Sequence, residues 1–289
     1  MGAEAVLLLT AALWGFAFAA QRAGMDHVGP FLFNGIRFAL GGLALLPFVI
    51  AARTRKADRG EDRPSRPPRW QYLILGAVLF GGAYLQQVGI VYTTAGKAGF
   101  ITGLYVVLVP ILGLRVQRRP SRETWAGAGL AVAGLFLLSV REDLSMQGGD
   151  LLILACAFFW AAHILLVDRM ARLRPWAALA AAQFAICAVA SLVVALCFEE
   201  ISTPSISAAW VPLVYAGILS VGVGYSLQIV AQRRAAPAPA AIIMSLEAVF
   251  AALGGWLLLG EVLDGRELAG CGLMLGGMAV SQIRLRRPR

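Results

Sequence analysis

Glu247 is the one acidic residue well inside an apolar stretch of this 289-residue sequence. An acid there can carry a proton, or it can sit inert, paired with a base or held by backbone donors. Arg37 lies inside another such stretch, with Asn34 one helical turn before it. Its guanidinium would bind a carboxylate, a ligand's or that of Glu247, unless it snorkels outward from its place two turns after Pro30. Uncharged polar residues recur at helical spacing: Thr102 with Tyr105, Tyr84 with Gln87, and Tyr225 with Gln228 and Gln232. Such pairs share a helix face. Left unpaired in hydrocarbon, each group costs several kcal/mol, so the faces must point inward, to a wet cavity or to neighbouring helices. Trp14 and Trp160 fall in the middle of apolar runs, Trp14 with Gln21 on its face and Trp160 with His163 three residues on. Aromatic walls with few polar groups suit a small amphipathic ligand, and bulky core packing is the plain alternative. Pro110 deletes a backbone donor and is the hinge candidate, although a proline also makes a harmless bend.

These residues must be held by helices in lipid. The chain is 59% hydrophobic and 14% charged, with a mean hydropathy of +0.75, against roughly 25% charged in soluble domains. Ten apolar stretches are long enough to span a bilayer, near 4–24, 30–52, 70–93, 97–115, 123–140, 149–167, 175–198, 208–232, 237–259 and 266–284. Backbone polar groups cannot go unpaired in lipid, so these spans are predicted to be helices. The first is read as a retained span rather than a signal peptide, because its only early charge is Glu4 and no basic segment precedes it.

The basic residues set the orientation. With the N-terminus inside, internal loops hold twenty Lys and Arg, and external loops hold four: Arg22, Lys97, Arg141 and Arg266. The bias predicts both termini in the cytoplasm. It also accounts for the net charge of +9 through anionic lipid headgroups, with no nucleic-acid partner needed. Lys97 reads as a snorkelling end residue. Trp70, Trp125, Trp176 and Trp210 fall at span ends as an interfacial belt. The segment Ala51–Arg69, rich in Arg, Asp and Pro, reads as a cytoplasmic loop.

Cys156, Cys187, Cys197 and Cys271 lack metal-like spacing and read as packing residues. The two histidines, His27 and His163, are far apart. No catalytic cluster, metal set or cofactor motif stands out. The absence of a GK[ST] phosphate cradle excludes ATP as a direct energy source. An integral-membrane transferase would need acids or histidines clustered at a membrane face and is the less favoured class.

The halves resemble each other. "GAGLAVAG" at Gly127–Gly134 matches "GCGLMLGG" at Gly270–Gly277, an offset of 143. At offset 146, Trp14 pairs with Trp160, and Arg37-Phe38 with Gln183-Phe184; near 141, Tyr84 pairs with Tyr225 and Gln87 with Gln228. Gln183 joins the site candidates through this pairing. Two five-span repeats, 1–144 and 145–289, must lie in the membrane in opposite senses, which is the architecture of alternating-access transporters. The glycine rows, including the Gly272/Gly276 pair, are expected to pack helices within the scaffold, with dimerisation as the alternative.

"ALWGFAFAAQR", "GIRF", "GKAGFITGLYVVLVPIL" and "SLEAVFAALGGWLLLGE" resemble the EamA-type ten-helix branch of the drug/metabolite transporter superfamily, over nearly the whole chain. The resemblance implies ten helices in inverted halves around a central cavity. It also implies export of amino acids, aromatic or other large neutral ones among them, or of related metabolites or drugs from the bacterial cytoplasm. The partners it implies are a small-molecule substrate and membrane lipids, for a monomer or homodimer. Two positions depart from the family pattern: Ala248 stands where a proline follows the glutamate, and Arg118 stands in the first half where Glu261 stands in the second.

Overall fold

The computed structural model describes residues 2–51, 69–92, 95–114, 120–139, 148–259 and 264–283. Every regular element among them is helical. The first half runs α1 (Ala3–Met25), α2 (Pro30–Ala44, continued by helical residues 46–51), α3 (Arg69–Tyr92), α4 (Ala95–Gly103), α5 (Tyr105–Gly113) and α6 (Arg122–Ser139). The second runs α7 (Gly148–Ala171), α8 (Trp176–Phe198), the short α9 (Thr203–Ala208) and α10 (Trp210–Val214), a π-helical stretch Tyr215–Tyr225, α11 (Ser226–Gln232), α12 (Pro237–Met244), α13 (Glu247–Leu259) and α14 (Gly265–Gln282). Among the described residues six helices, counting α10 to α11 as one and α12 with α13 as one, are long and apolar enough to cross a membrane. Large hydrophobics such as Leu196, Phe198 and Leu257 are exposed, as lipid contact requires. The interfacial Trp70 and Trp210 are also exposed.

Local chemistry sets the helix ends. Pro30 sits in the first turn of α2, where its missing N–H costs nothing. The Glu199 carboxylate, from the end of α8, accepts from the N–H groups of Phe31 (2.8 Å) and Leu32 (2.7 Å) and so caps α2 from the other half of the chain. Gly29 leaves room for it, since a Cβ there would lie 2.3 Å from the carboxyl carbon. Asp264 and Glu267 form a reciprocal capping box at the start of α14.

Close backbone approach joins α6 to α14. A Cβ on Gly127 would lie 2.6 Å from the Gly277 carbonyl, and one on Gly134 would lie 2.6 Å from that of Gly270. The repeat-related glycines therefore pack against each other. Gly272 and Gly276 do not share in this packing: nothing lies within 4 Å of a Cβ on either. They sit on the face of α14 that is turned away from α6, which corrects the expectation that this pair packs the scaffold.

The hinge candidate and the visible helix break do not coincide. Pro110 is buried inside a continuous α5, and the interruption falls six residues earlier, at Leu104. Gly103, a weak helix former, lies at that break, with Leu135 2.6 Å from where its Cβ would be. Lys97's side chain, the loop arginines of 53–66, Arg118, Arg141 and Glu261 lie outside the described residues.

Candidate functional site

One cavity gathers polar and aromatic side chains from both halves. The first half contributes Trp14, Ala17, Phe18 and Gln21 of α1, Arg37 of α2, Gln86 of α3, Thr102 of α4 and Tyr105 of α5. The second contributes Trp160, His163 and Ile164 of α7, Ser220 and Tyr225 of the π-helical stretch, Gln228 of α11 and Glu247 of α13. The space open to water-molecule centres is about 40 Å³, enough for about three waters. A larger ligand requires the walls to move.

Tyr225 lies at the centre of the aromatic wall. Trp14 packs on it at 4.8 Å between ring centroids and Trp160 at 6.2 Å, while His163 meets it edge-on at 5.9 Å. The Trp14 indole N–H donates to the Ser220 carbonyl at 3.2 Å. Two repeat-related tryptophans therefore flank one tyrosine. The π-helical stretch supplies both that tyrosine and the carbonyl that anchors Trp14. Runs of π-helix are rare and concentrate at functional sites. The glycine-rich sequence Gly217, Gly222, Gly224 gives no period-based warning of it.

The two charges stand apart. Arg37 is 3% exposed and its guanidinium lies over the rings of Phe33 (5.7 Å) and Phe38 (5.1 Å). It does not snorkel. No ion pair within 4.0 Å joins it to Glu247 among the described residues, so the expected alternative of an Arg37–Glu247 pair is not formed. Glu247 is 8% exposed and accepts one hydrogen bond, from the Tyr105 hydroxyl at 3.1 Å. The cavity thus holds a guanidinium and a carboxyl group that do not pair with each other. It also holds acceptors without partners, Gln21 Oε1 and Gln228 Oε1.

Of the residues singled out in the sequence, Trp14, Arg37, Thr102, Tyr105, Trp160, His163, Tyr225, Gln228 and Glu247 line the cavity. Asn34, Tyr84, Gln87 and Gln183 fall outside its lining. Asn34 donates to the Ala83 carbonyl at 3.1 Å, binding α2 to α3. Tyr84 stacks between Phe31 (4.8 Å) and Phe80 (6.1 Å). Gln87 donates to the Gln21 carbonyl at 3.5 Å, and its neighbour Gln86 lines the cavity instead. Gln183 stands behind His163, its Oε1 2.8 Å from Nε2 of the imidazole. Ser220 was not singled out, because a backbone carbonyl has no signature in sequence. No group of three metal-ligating side chains occurs among the described residues.

An apolar helical bundle that encloses a small polar and aromatic cavity, with both halves contributing, fits a multi-pass membrane transport protein. The chain belongs to the EamA-like transporter family, whose model matches residues 1–140 and again 147–282. It is similar to an uncharacterised transporter of Archaeoglobus fulgidus, 32% identical over 287 residues, 98% of this chain and 86% of that one. It is also similar to the threonine/homoserine exporter RhtA of Escherichia coli K12, 31% identical over 265 residues, 88% of this chain and 82% of the relative. A solved crystal structure shares the fold with a TM-score of 0.81 over 99% of both chains, at 22% identity.

Proposed function

We propose that this protein exports amino acids across the cytoplasmic membrane of a bacterium by alternating access, without ATP. The observation that carries the reading is that the Arg37 guanidinium and the Glu247 carboxyl line one cavity without pairing with each other. A buried charge is costly unless paired. A zwitterion supplies both missing partners, its carboxylate to Arg37 and its ammonium to Glu247. Trp14, Trp160 and Tyr225 form the aromatic lining that suits a large neutral side chain, and the similarity to threonine/homoserine exporters favours small polar ones. Glu247 is the coupling residue, because a proton and an ammonium group compete for the same carboxylate.

The ten-span architecture, as two inverted repeats over 1–144 and 145–289 with both termini inside, belongs to the same proposal. The double match of the family model and the basic-residue bias support it. A C-terminal reporter active only outside the cytoplasm would overturn that orientation. Counterflow in proteoliposomes with a labelled amino-acid panel tests the function. Uptake of another solute class, with none of the amino acids taken up, would remove the substrate assignment. The rival reading, an exporter of some other metabolite or drug class, would then stand.

A further inference from the structure

Two helices are interrupted beside the cavity in the same way. Between α4 and α5, the Leu104 N–H donates to Ile101 O (3.2 Å) and Val107 N–H donates to Leu104 O (3.0 Å). Between α12 and α13, Leu246 N–H donates to Ile243 O (3.2 Å) and Ala248 N–H to Ser245 O (3.2 Å). These are i to i−3 bonds, the tighter 3₁₀ pattern that marks hinges in the middle of helices. The residue that starts the helix after the first break is Tyr105, and after the second it is Glu247. Their side chains meet: the Tyr105 hydroxyl donates to Glu247 Oε1 at 3.1 Å, across 142 residues of sequence. Both line the cavity. Glu247 Oε2 makes no hydrogen bond among the described residues.

We propose that Tyr105 is a positioning residue. Its hydroxyl occupies one oxygen of Glu247 and turns the other into the cavity as the acceptor for the substrate's ammonium group. This rests on the amino-acid reading above. A carboxylate on a flexible stem must be held in place if it is to select one cation, and Tyr105 is the group that holds it. The same bond ties the two helix breaks together across the halves. An ammonium group that pulls on Glu247 is therefore felt at both hinges.

The test uses matched ligand pairs that differ only in the ammonium group: L-alanine against L-lactate, and L-phenylalanine against L-phenyllactate. Binding to the purified full chain is read from the ligand concentration that gives half-maximal thermal stabilisation in detergent. Wild type should favour the amino acid of at least one pair by about tenfold or more, the scale of one charge-assisted hydrogen bond. Tyr105→Phe removes one oxygen and leaves the ring packing in place. It should narrow that ratio to about two- to threefold, on the same scale, with the hydroxy-acid midpoint unchanged. Tyr105→His retains a ring N–H donor and should keep more of the ratio than Tyr105→Phe. Equal weakening of both members of a pair, or identical ratios in the Phe and His variants, would overturn the positioning role. A wild-type protein that binds neither amino acid overturns the amino-acid reading itself, and that result is seen before any variant is made.

Discussion

Arg37→Met should move stability and binding in opposite directions. The guanidinium is buried, 3% exposed, with no carboxylate partner among the described residues. Two aromatic faces, at 5.1 and 5.7 Å, provide its visible compensation. Such contacts contribute about 0.5–2 kcal/mol each. Holding an uncompensated charge out of water costs several kcal/mol. Methionine fills much of the same volume and removes that cost, so the empty protein should melt no lower than wild type. If Arg37 binds the substrate carboxylate, its loss removes a desolvated charge pair worth about 2–5 kcal/mol. The low end of that range is about a thirtyfold weaker dissociation constant. An amino-acid amide has no carboxylate and should be affected little. Alanine and alaninamide, titrated against the melting point of wild type and Arg37→Met, separate these effects. A variant that melts several degrees lower, or that weakens both ligands alike, would show that Arg37 is structural.

Glu247→Gln should reduce proton-driven uphill flux more than it reduces substrate exchange in proteoliposomes; wild-type rates in both assays from pH 5 to 8 would leave Glu247 without a coupling role. Trp14→Ala and Trp160→Ala should shift competition toward small amino acids by about 1–3 kcal/mol, the scale of one buried apolar side chain. Uniformly inactive or unfolded variants would mean that the indoles only pack against Tyr225. Gly134→Ala should destabilise by about 1–3 kcal/mol, because the added carbon meets the Gly270 carbonyl and the Met274 backbone nitrogen, which cannot yield, as well as the Met274 side chain. Gly272→Ala, with nothing within 4 Å, should instead raise the melting point slightly through helix propensity. Equal melting points for the two alanine variants would contradict the α6–α14 contact.

Much of the helical frame was legible, because apolar length and backbone satisfaction leave few choices in lipid. The cavity was legible as faces but not as neighbours. Tyr84 and Gln87 do share a face, as their spacing of three requires, yet that face meets Phe31, Phe80 and the Gln21 carbonyl. Gln86, the adjacent residue, points into the cavity instead. Which face of a helix meets which neighbour depends on how the helices rotate against each other, and one sequence carries no record of that. Pro110 shows a related limit. Its chemistry is local and plain, but the break falls at Gly103-Leu104, where a missing side chain lets Leu135 approach. Gln183 shows a third limit. Its pairing with Arg37 in the internal repeat suggested a shared role, whereas it holds His163 from behind.

That last mismatch bears on how the transporter would work. The repeat-related tryptophans both reach the cavity, but other related pairs divide: Tyr225 and Gln228 line it while Tyr84 and Gln87 do not, and Arg37 lines it while Gln183 does not. One half therefore supplies the positive charge and the other the negative. On the inverted-repeat reading, the inward and outward states share nearly the same backbone energy. The side chains do not follow that symmetry. A zwitterion can satisfy Arg37 and Glu247 in one orientation only. The bias between the states must then come from these few cavity groups rather than from the scaffold. The glycine-packed α6–α14 pair, alike in both halves, is suited to stay fixed while they change partners.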